Sequence, residues 1–321
     1  ECVFLSVNRR LFCSSNHINR IGQQSGRPRY LCRDCRKKFQ DRRRRIRSGI
    51  AANLWYDYVW GKQTVAQLAD DTHVSIPVMR ARLDAYETPG TRPYQELTPR
   101  PTMLVIDAYF RSRGDGTLIF RSPELKRNLY WKDITYETVA EYVAGVHLMQ
   151  AAGWTFTGFT VDGRKGVVSA LAATAPVQYC QFHQKKTIRD YLTKNPKTAA
   201  AQELKALASL LTMTDEASFQ AWLTAWHTKW HEFLKERTVH PDGSTSYTHR
   251  RLRAAYRSLH TNLPYLFTYQ SHAGMPNTTN TLDGSISHLR TMHRVHRGIK
   301  LRRRRKVTDT LLRGKYPKKF H

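Results

Sequence analysis

Between residues 102 and 183 short apolar runs rich in β-branched residues alternate with stretches of helical periodicity, and that order admits few folds. "TMLVIDAYF" (102–110) reads as a strand carrying Asp107. After the turn "RSRGDGT", the runs "TLIF" and "NLYWKDI" complete a three-strand meander. "YETVAEYVAGVHLMQAAG" (136–153) has helical spacing, and "WTFTGFTVDGRKG" (154–166) returns as a strand ending at Asp162. Residues 166–175 read as helix and "VQYCQFH" (177–183) as a buried strand, with a basic helix from Gln184. The order βββαβαβα predicts an α/β fold built on a mixed sheet with helices on its faces.

Two carboxylates sit on these strands. Asp162 in "VDGRKG" reads equally well as a turn-former, but "VIDAYF" continues apolar past Asp107, so no turn explains that acid. Two acids at neighbouring strand ends repel one another unless a cation neutralises them, and oxygen-only ligands suit Mg²⁺ or Mn²⁺. Such sites serve in-line phosphoryl displacement in polymerases and nucleases.

Charge points to the partner. The formal net charge is +28, from 53 Lys/Arg against 25 Asp/Glu. Residues 1–50 hold 14 Lys/Arg and 3 acids, and residues 284–321 hold 13 and 1. A basic surplus concentrated at both ends predicts a polyanion partner, best read as double-stranded DNA. No apolar run reaches a membrane span and no leader-like h-region follows Arg9 and Arg10, so a cytoplasmic, nucleoid-associated protein is expected. Five cysteines, with Cys32 and Cys35 in a tight pair, favour metal binding over a disulfide framework.

"FCSSNHINRIGQQSGRPRYLCRDCRKKF" (12–39) reads as a zinc ribbon. Cys32 and Cys35 form one knuckle and Cys13 offers a third Zn²⁺ ligand; the fourth is open between His17 and Cys2. Next, "RRRRIR" (42–47), with Arg42, Arg43, Arg44 and Arg45, reads as a phosphate-contacting linker. "TVAQLADDTHVSIPVMRARL" then has the spacing of a helix-turn-helix. Val65, Leu68 and Ala69 are expected to pack its first helix and Val78, Met79 and Leu83 its second. Arg80 and Arg82 are left on a face that can enter a major groove.

Residues 198–260 lack strand signals. Phe219, Trp222, Trp226, Trp230 and Phe233 predict one apolar stripe on a helix, and "TVHPDGSTSYTHRR" (238–251) reads as a flexible excursion. From Asp283 onward Ile286, Leu289 and Met292 alternate with Arg290, Arg294 and Arg297 in an amphipathic basic helix. "HRGIKLRRRRK" (296–306), with Arg302 and Arg303, extends it as a track for the DNA backbone.

Taken together, Asp107 after "VI", "TVDGRKG", "CQFHQ" and "NTTNTLDGSISHLR…HRG" resemble a bacterial insertion-sequence transposase of the DDE/D type, in the broad group related to Mutator-like elements. The resemblance runs from about residue 12 to residue 312. It implies an RNase H-like core interrupted by an all-helical insertion and preceded by the zinc ribbon and helix-turn-helix. The implied division is 1–41 (ribbon), 42–95 (linker and helix-turn-helix), 96–195 (core), 196–275 (insertion) and 276–321 (end of core and basic tail). It also implies that Asp107, Asp162 and Asp283 are the catalytic, Mg²⁺-binding acids, with Cys180 and His183 near them arranging DNA ends. Asp283 departs from the family pattern, in which Glu is commoner; its carboxylate is shorter by one C–C bond of roughly 1.5 Å.

The implied activity is recognition of terminal inverted repeats, cleavage of element ends and transfer of 3′-hydroxyls to target DNA, in a homodimer or larger assembly. Two alternatives stay open: a transposase-derived DNA-binding protein that does not cleave, and a nuclease on the same fold.

Overall fold

The structure is a computed structural model and describes residues 17–24, 27–40, 48–164 and 166–314. The chain divides into two compact units, residues 1–54 with 319–321, and residues 55–318. In the first, β1 (Ile18–Gln24), β2 (Arg27–Cys32) and β3 (Lys38–Gln40) form an antiparallel sheet in the order β1-β2-β3. Tyr30 stacks on its cross-strand partner Phe39 at 5.7 Å, which gives this small sheet its apolar contact.

Helix α1 (Ser48–Val59) leads into α2 (Val65–Asp71) and α3 (Ile76–Ala85), as the sequence predicts. Thr64 and Gln67 form a reciprocal cap: Gln67 donates its N–H to Thr64 Oγ1 at 3.2 Å, and Thr64 donates its own to Gln67 Oε1 at 2.8 Å. Leu68, Ala69, Met79 and Leu83 are buried as expected. Val65 is only half-buried, and Val78 is 44% exposed, so it does not pack the second helix. Met79 and Leu83, one helical turn apart, carry that packing alone.

A short helix α4 (Pro93–Glu96) precedes the main sheet. The sheet comprises β4 (Pro101–Ser112), β5 (Asp115–Ser122), β6 (Arg127–Ile134), β7 (Thr155–Val161) and β8 (Val177–Tyr179), in the order β6-β5-β4-β7-β8. The first three strands pair antiparallel; β4–β7 and β7–β8 pair parallel. Helices α5 (Val139–Ala151) and α6 (Val167–Ala172) make the crossovers and α7 (Gln181–Leu192) comes last, so the predicted βββαβαβα order is realised; the last strand is shorter than the expected 177–183, because Gln181–His183 already belong to α7. Leu104, Ile106, Phe120 and Phe159 face Tyr142 and Val146 of α5 in one core. Side chains alternate along a strand, so Asp107 shares the opposite face of β4 with Met103 and Val105.

The insertion holds α8 (Ala199–Ser209), α9 (Glu216–Lys235), β9 (Arg237–Val239), β10 (Thr245–Tyr247) and α10 (Arg250–Leu266) around a second core. It is not all-helical: residues 237–247 form an antiparallel hairpin where a flexible excursion is expected. Three-residue strands are too short to show a period in sequence. In α9, Phe219 and Trp226 are buried and Trp230 and Phe233 half-buried, but Trp222 is 43% exposed and Leu223 takes its place in the core.

The chain then returns through 3₁₀ turns at Thr268–Ser271 and Asn280–Leu282 to α11 (Asp283–Val295) and α12 (Leu301–Arg313). The tail is two helices rather than one extended helix, broken where His296 turns inward to donate its Nε2–H to the Tyr58 carbonyl (3.0 Å) and Gly298 takes φ 72°. Among the described residues no helix is long and apolar enough to cross a membrane.

Candidate metal centre

The register of the parallel pair β4–β7 builds the site. Ile106 pairs with Val161, so the next residue on each chain segment is an aspartate, Asp107 and Asp162. Strand β8 runs parallel beside β7, and its chain passes directly into α7 through Cys180. That places His183, in the first turn of α7, against Asp162: Nδ1 lies 3.5 Å from Asp162 Oδ1. One ligand atom from each of Asp107, Asp162 and His183 falls within 4.8 Å of the others, the only such three-residue group among the described residues.

Asp107 is buried and held from both sides. Its Oδ1 accepts the Ala108 N–H at 2.8 Å and its Oδ2 accepts the Thr279 hydroxyl at 3.1 Å. Thr279 is itself placed by Cys180, whose sulfur accepts the Thr279 N–H at 3.3 Å. Nearby, Gln181 donates its N–H to the Asn277 carbonyl at 3.0 Å, and the Thr160 hydroxyl donates to the Pro276 carbonyl at 2.7 Å. The segment returning from the insertion is therefore pinned to β7 and to the start of α7 before it reaches Asp107. Gly163 is required beside Asp162, because a Cβ there meets the Tyr179 ring at 1.6 Å.

Burial pushes the Asp107 carboxyl up to about 6; the imidazole of His183 works against the rise and the charge of Asp162 adds to it. For His183 burial pulls downward. The contact with Cys180 and the charges of Asp162 and Asp107 outweigh it and lift the ring to about 9. Without a cation, the site thus carries a desolvated carboxylate and an imidazolium whose buried Nδ1 makes no hydrogen bond beyond its 3.5 Å approach to Asp162. Two oxygen donors and an orphaned nitrogen fit a divalent cation, Mg²⁺ through the carboxylates and Mn²⁺ through all three.

A pH dependence follows. Binding needs Asp107 ionised, so Mn²⁺ affinity of the whole protein should rise as pH passes upward through about 6. It should rise again towards about 9, as the repelling imidazolium loses its proton. Calorimetric titration across this range should show both steps, and His183→Asn should erase the upper step alone.

The other expected site residues fall differently. Asp283 is exposed in the first turn of α11 and is not part of the convergent group. Cys180 is buried at the start of α7, as its position beside the site implies. In the N-terminal sheet, the Arg33 N–H donates to the His17 carbonyl at 2.8 Å, so His17 adjoins the Cys32–Cys35 turn. Its Nδ1 faces Asp34 at 3.3 Å, and His17, Cys32 and Cys35 do not converge as a three-ligand group. Cys2, Cys13 and Arg42, Arg43, Arg44 and Arg45 lie outside the described residues.

Arg80, Arg290, Arg294, Arg297 and Arg302 are exposed, and Arg82 is half-buried. Arg303 is not available to DNA. It is buried, with Nε 2.8 Å from Asp84 Oδ1 and Nη2 donating to the Arg80 carbonyl at 3.0 Å. Its neighbours are also engaged: Arg304 with Asp115, Arg305 with Asp133, and Lys306 with the Leu83, Asp84 and Tyr86 carbonyls that end α3. Much of the "RRRRK" run is therefore an internal clamp.

Sequence reasoning missed Thr279, which holds Asp107. The signal was the polar run "NTTN" ahead of a helix, which favours side chains bonded to nearby groups but does not say which group receives them. No protein-family model matches the chain, and no curated protein matches it.

Proposed function

We propose that the chain is a DNA transposase of the DDE/D type, with an RNase H-like core that binds terminal inverted repeats, cleaves element ends and transfers their 3′-hydroxyls to target DNA. The observation that carries this reading is the placement of Asp107 and Asp162 at adjacent positions of a parallel strand pair, in a sheet of order β6-β5-β4-β7-β8. An antiparallel meander followed by two parallel strands is the arrangement an RNase H-like core requires, and it supports the assignment. The exposed arginines of α11 and the exposed Arg80 on α3 supply phosphate and groove contacts. Synapsis of two ends calls for a homodimer or larger assembly, and Zn²⁺ in the N-terminal sheet belongs to the same reading.

Bound Mg²⁺ supplies Lewis-acid stabilisation of the charge that develops on the phosphoryl oxygens. Asp107 and Asp162 hold their oxygens at one point in space. Thr279 and the Ala108 N–H fix the Asp107 carboxyl, which keeps two of its lone-pair directions free for the site. The His183 imidazolium stands ready to meet a phosphate oxygen of the DNA end, or to hold the proton that a leaving hydroxyl needs.

The direct test is incubation of the purified protein with labelled DNA carrying the ends that flank its reading frame, in Mg²⁺ or Mn²⁺. End nicking and joining are expected. Tight, specific binding with no cleavage in either metal would instead establish the DNA-binding alternative, which the exposed position of Asp283 favours. Asp283 can be tested separately. If it reaches the metals during catalysis, Asp283→Glu should raise the cleavage rate and Asp283→Ala should lower it by about ten- to a hundredfold. Equal rates in both variants would remove Asp283 from the site.

A further inference from the structure

A second site lies in the insertion, built by α9, β10 and α10 and independent of the metal centre. A cavity of about 330 Å³ opens there, and its charged lining is His227, His231, Lys235, Arg253, Arg257 and His260. No carboxylate lines it. Glu232 faces Lys235 at 3.0 Å and His231 at 3.2 Å, but its own side chain is 84% exposed. Arg257, His227 and His260 form no ion pair with a carboxylate among the described residues. Three fixed cations, Lys235, Arg253 and Arg257, share one cavity with three histidines and are answered by one solvated acid, so the cations repel each other unless an anion enters; burial and the neighbouring histidines hold the His227 ring below the usual imidazole range.

The walls narrow the chemistry of that anion. The tyrosine rings already have partners: Tyr256 stacks on Trp226 at 5.6 Å and on His227 at 4.4 Å, and Tyr247 has Arg253 over its ring at 3.6 Å and Arg237 at 4.7 Å. Both rings are thus engaged within the protein, and no Asn, Gln, Asp or Glu lines the cavity to read a base edge. The three histidines could be imagined around a metal ion, but their ligand atoms do not converge, and three Lys/Arg side chains on the same walls oppose a cation. What fits is a compact group with several acceptor oxygens and dense negative charge.

We propose that this cavity binds a phosphate group through Arg257, Arg253, Lys235 and the histidines, without reading a base. Arg253 keeps donors for it after giving Nη1 to the Leu234 carbonyl at 2.7 Å, and its position over Tyr247 orients the guanidinium. The short hairpin β9–β10 acquires a purpose, since it carries Tyr247 to the rim. The phosphate could belong to a nucleic-acid strand or be free in solution, and the chemistry of the pocket is common to both.

The test uses the full chain, the double variant Arg257→Ala/His260→Ala, and Lys197→Ala as an exposed control remote in sequence from the cavity lining. Both substituted residues of the double variant are exposed, so its melting temperature should match the parent. Calorimetry with inorganic phosphate should show binding that the double variant weakens by about tenfold or more and the control leaves alone. Binding of a mixed-sequence DNA duplex across a salt series separates the sources. A weaker affinity and a log–log salt slope shallower by about 0.9 assign the pocket to a strand phosphate. Unchanged duplex binding assigns it to a free phosphate. If the parent binds no phosphate, if the double variant binds it as well as the parent, or if the variant loses Zn²⁺ binding instead, the proposal fails. None of these readouts depends on cleavage at Asp107 and Asp162.

Discussion

Asp107→Asn should abolish the proposed end cleavage, by at least about a thousandfold, while making the metal-free protein more stable. The two effects have one cause. Asparagine keeps the shape of the side chain and can still accept the Ala108 N–H or the Thr279 hydroxyl, so the local fold is preserved. It removes the buried negative charge that a divalent cation needs. It also removes the cost of keeping that charge buried.

The Asp107 carboxyl is raised from 3.8 to about 6, so the folded state holds its proton more tightly than the unfolded state does. The folding contribution tied to that proton is intact below about pH 4 and is lost as pH rises through about 6. Above that the ionised group destabilises the metal-free fold by roughly 2–3 kcal/mol. Asp107→Asn should therefore raise the melting temperature at pH 8 and change it little at pH 4, as measured by thermal scans in chelator. Adding Mn²⁺ should stabilise the parent and leave the variant unmoved. Loss of cleavage with a lower melting temperature would mean that the residue is structural and the metal-centre assignment is wrong.

That Asp107 could be singled out from sequence has a physical basis. An acid inside an apolar β-run has no local explanation, and period-2 alternation identifies the run as a strand. The order of strands and helices was readable for the same reason. The partners of the site were not. Thr279 reaches Asp107 across 172 residues and His183 meets Asp162 because two parallel strands deliver their chain ends side by side, relations that no local pattern encodes.

The tail makes the same point with opposite sign. A run of five basic residues reads as a DNA track because its carboxylates are remote in sequence: Asp84, Asp115 and Asp133 are brought to it only by folding. Trp222 and Leu223 show the lower limit of periodicity, since a helical stripe is drawn equally well through either neighbour and the fold buries the smaller one.

The clamp between α12 and α3 makes a second large prediction, and its asymmetry is the test. Arg303 is buried, its side chain 6% exposed, whereas its partner Asp84 is 38% exposed. Removing the aspartate leaves a guanidinium stranded in the interior, with the Arg80 carbonyl as its remaining bond. Asp84→Ala should then cost about 3–5 kcal/mol, the range for breaking a buried pair from one side. Removing the arginine leaves an aspartate that water can reach. Arg303→Met keeps an apolar stem in that buried position, so it should cost only about 1–2 kcal/mol.

The double variant should therefore be more stable than Asp84→Ala alone, a reversal that equilibrium urea unfolding can detect directly. A DNA-contact role for Arg303 predicts the contrary pattern: little loss of stability, and weaker DNA binding with a shallower salt slope. The two outcomes separate a structural arginine from a phosphate contact within a sequence run where the five basic side chains look alike.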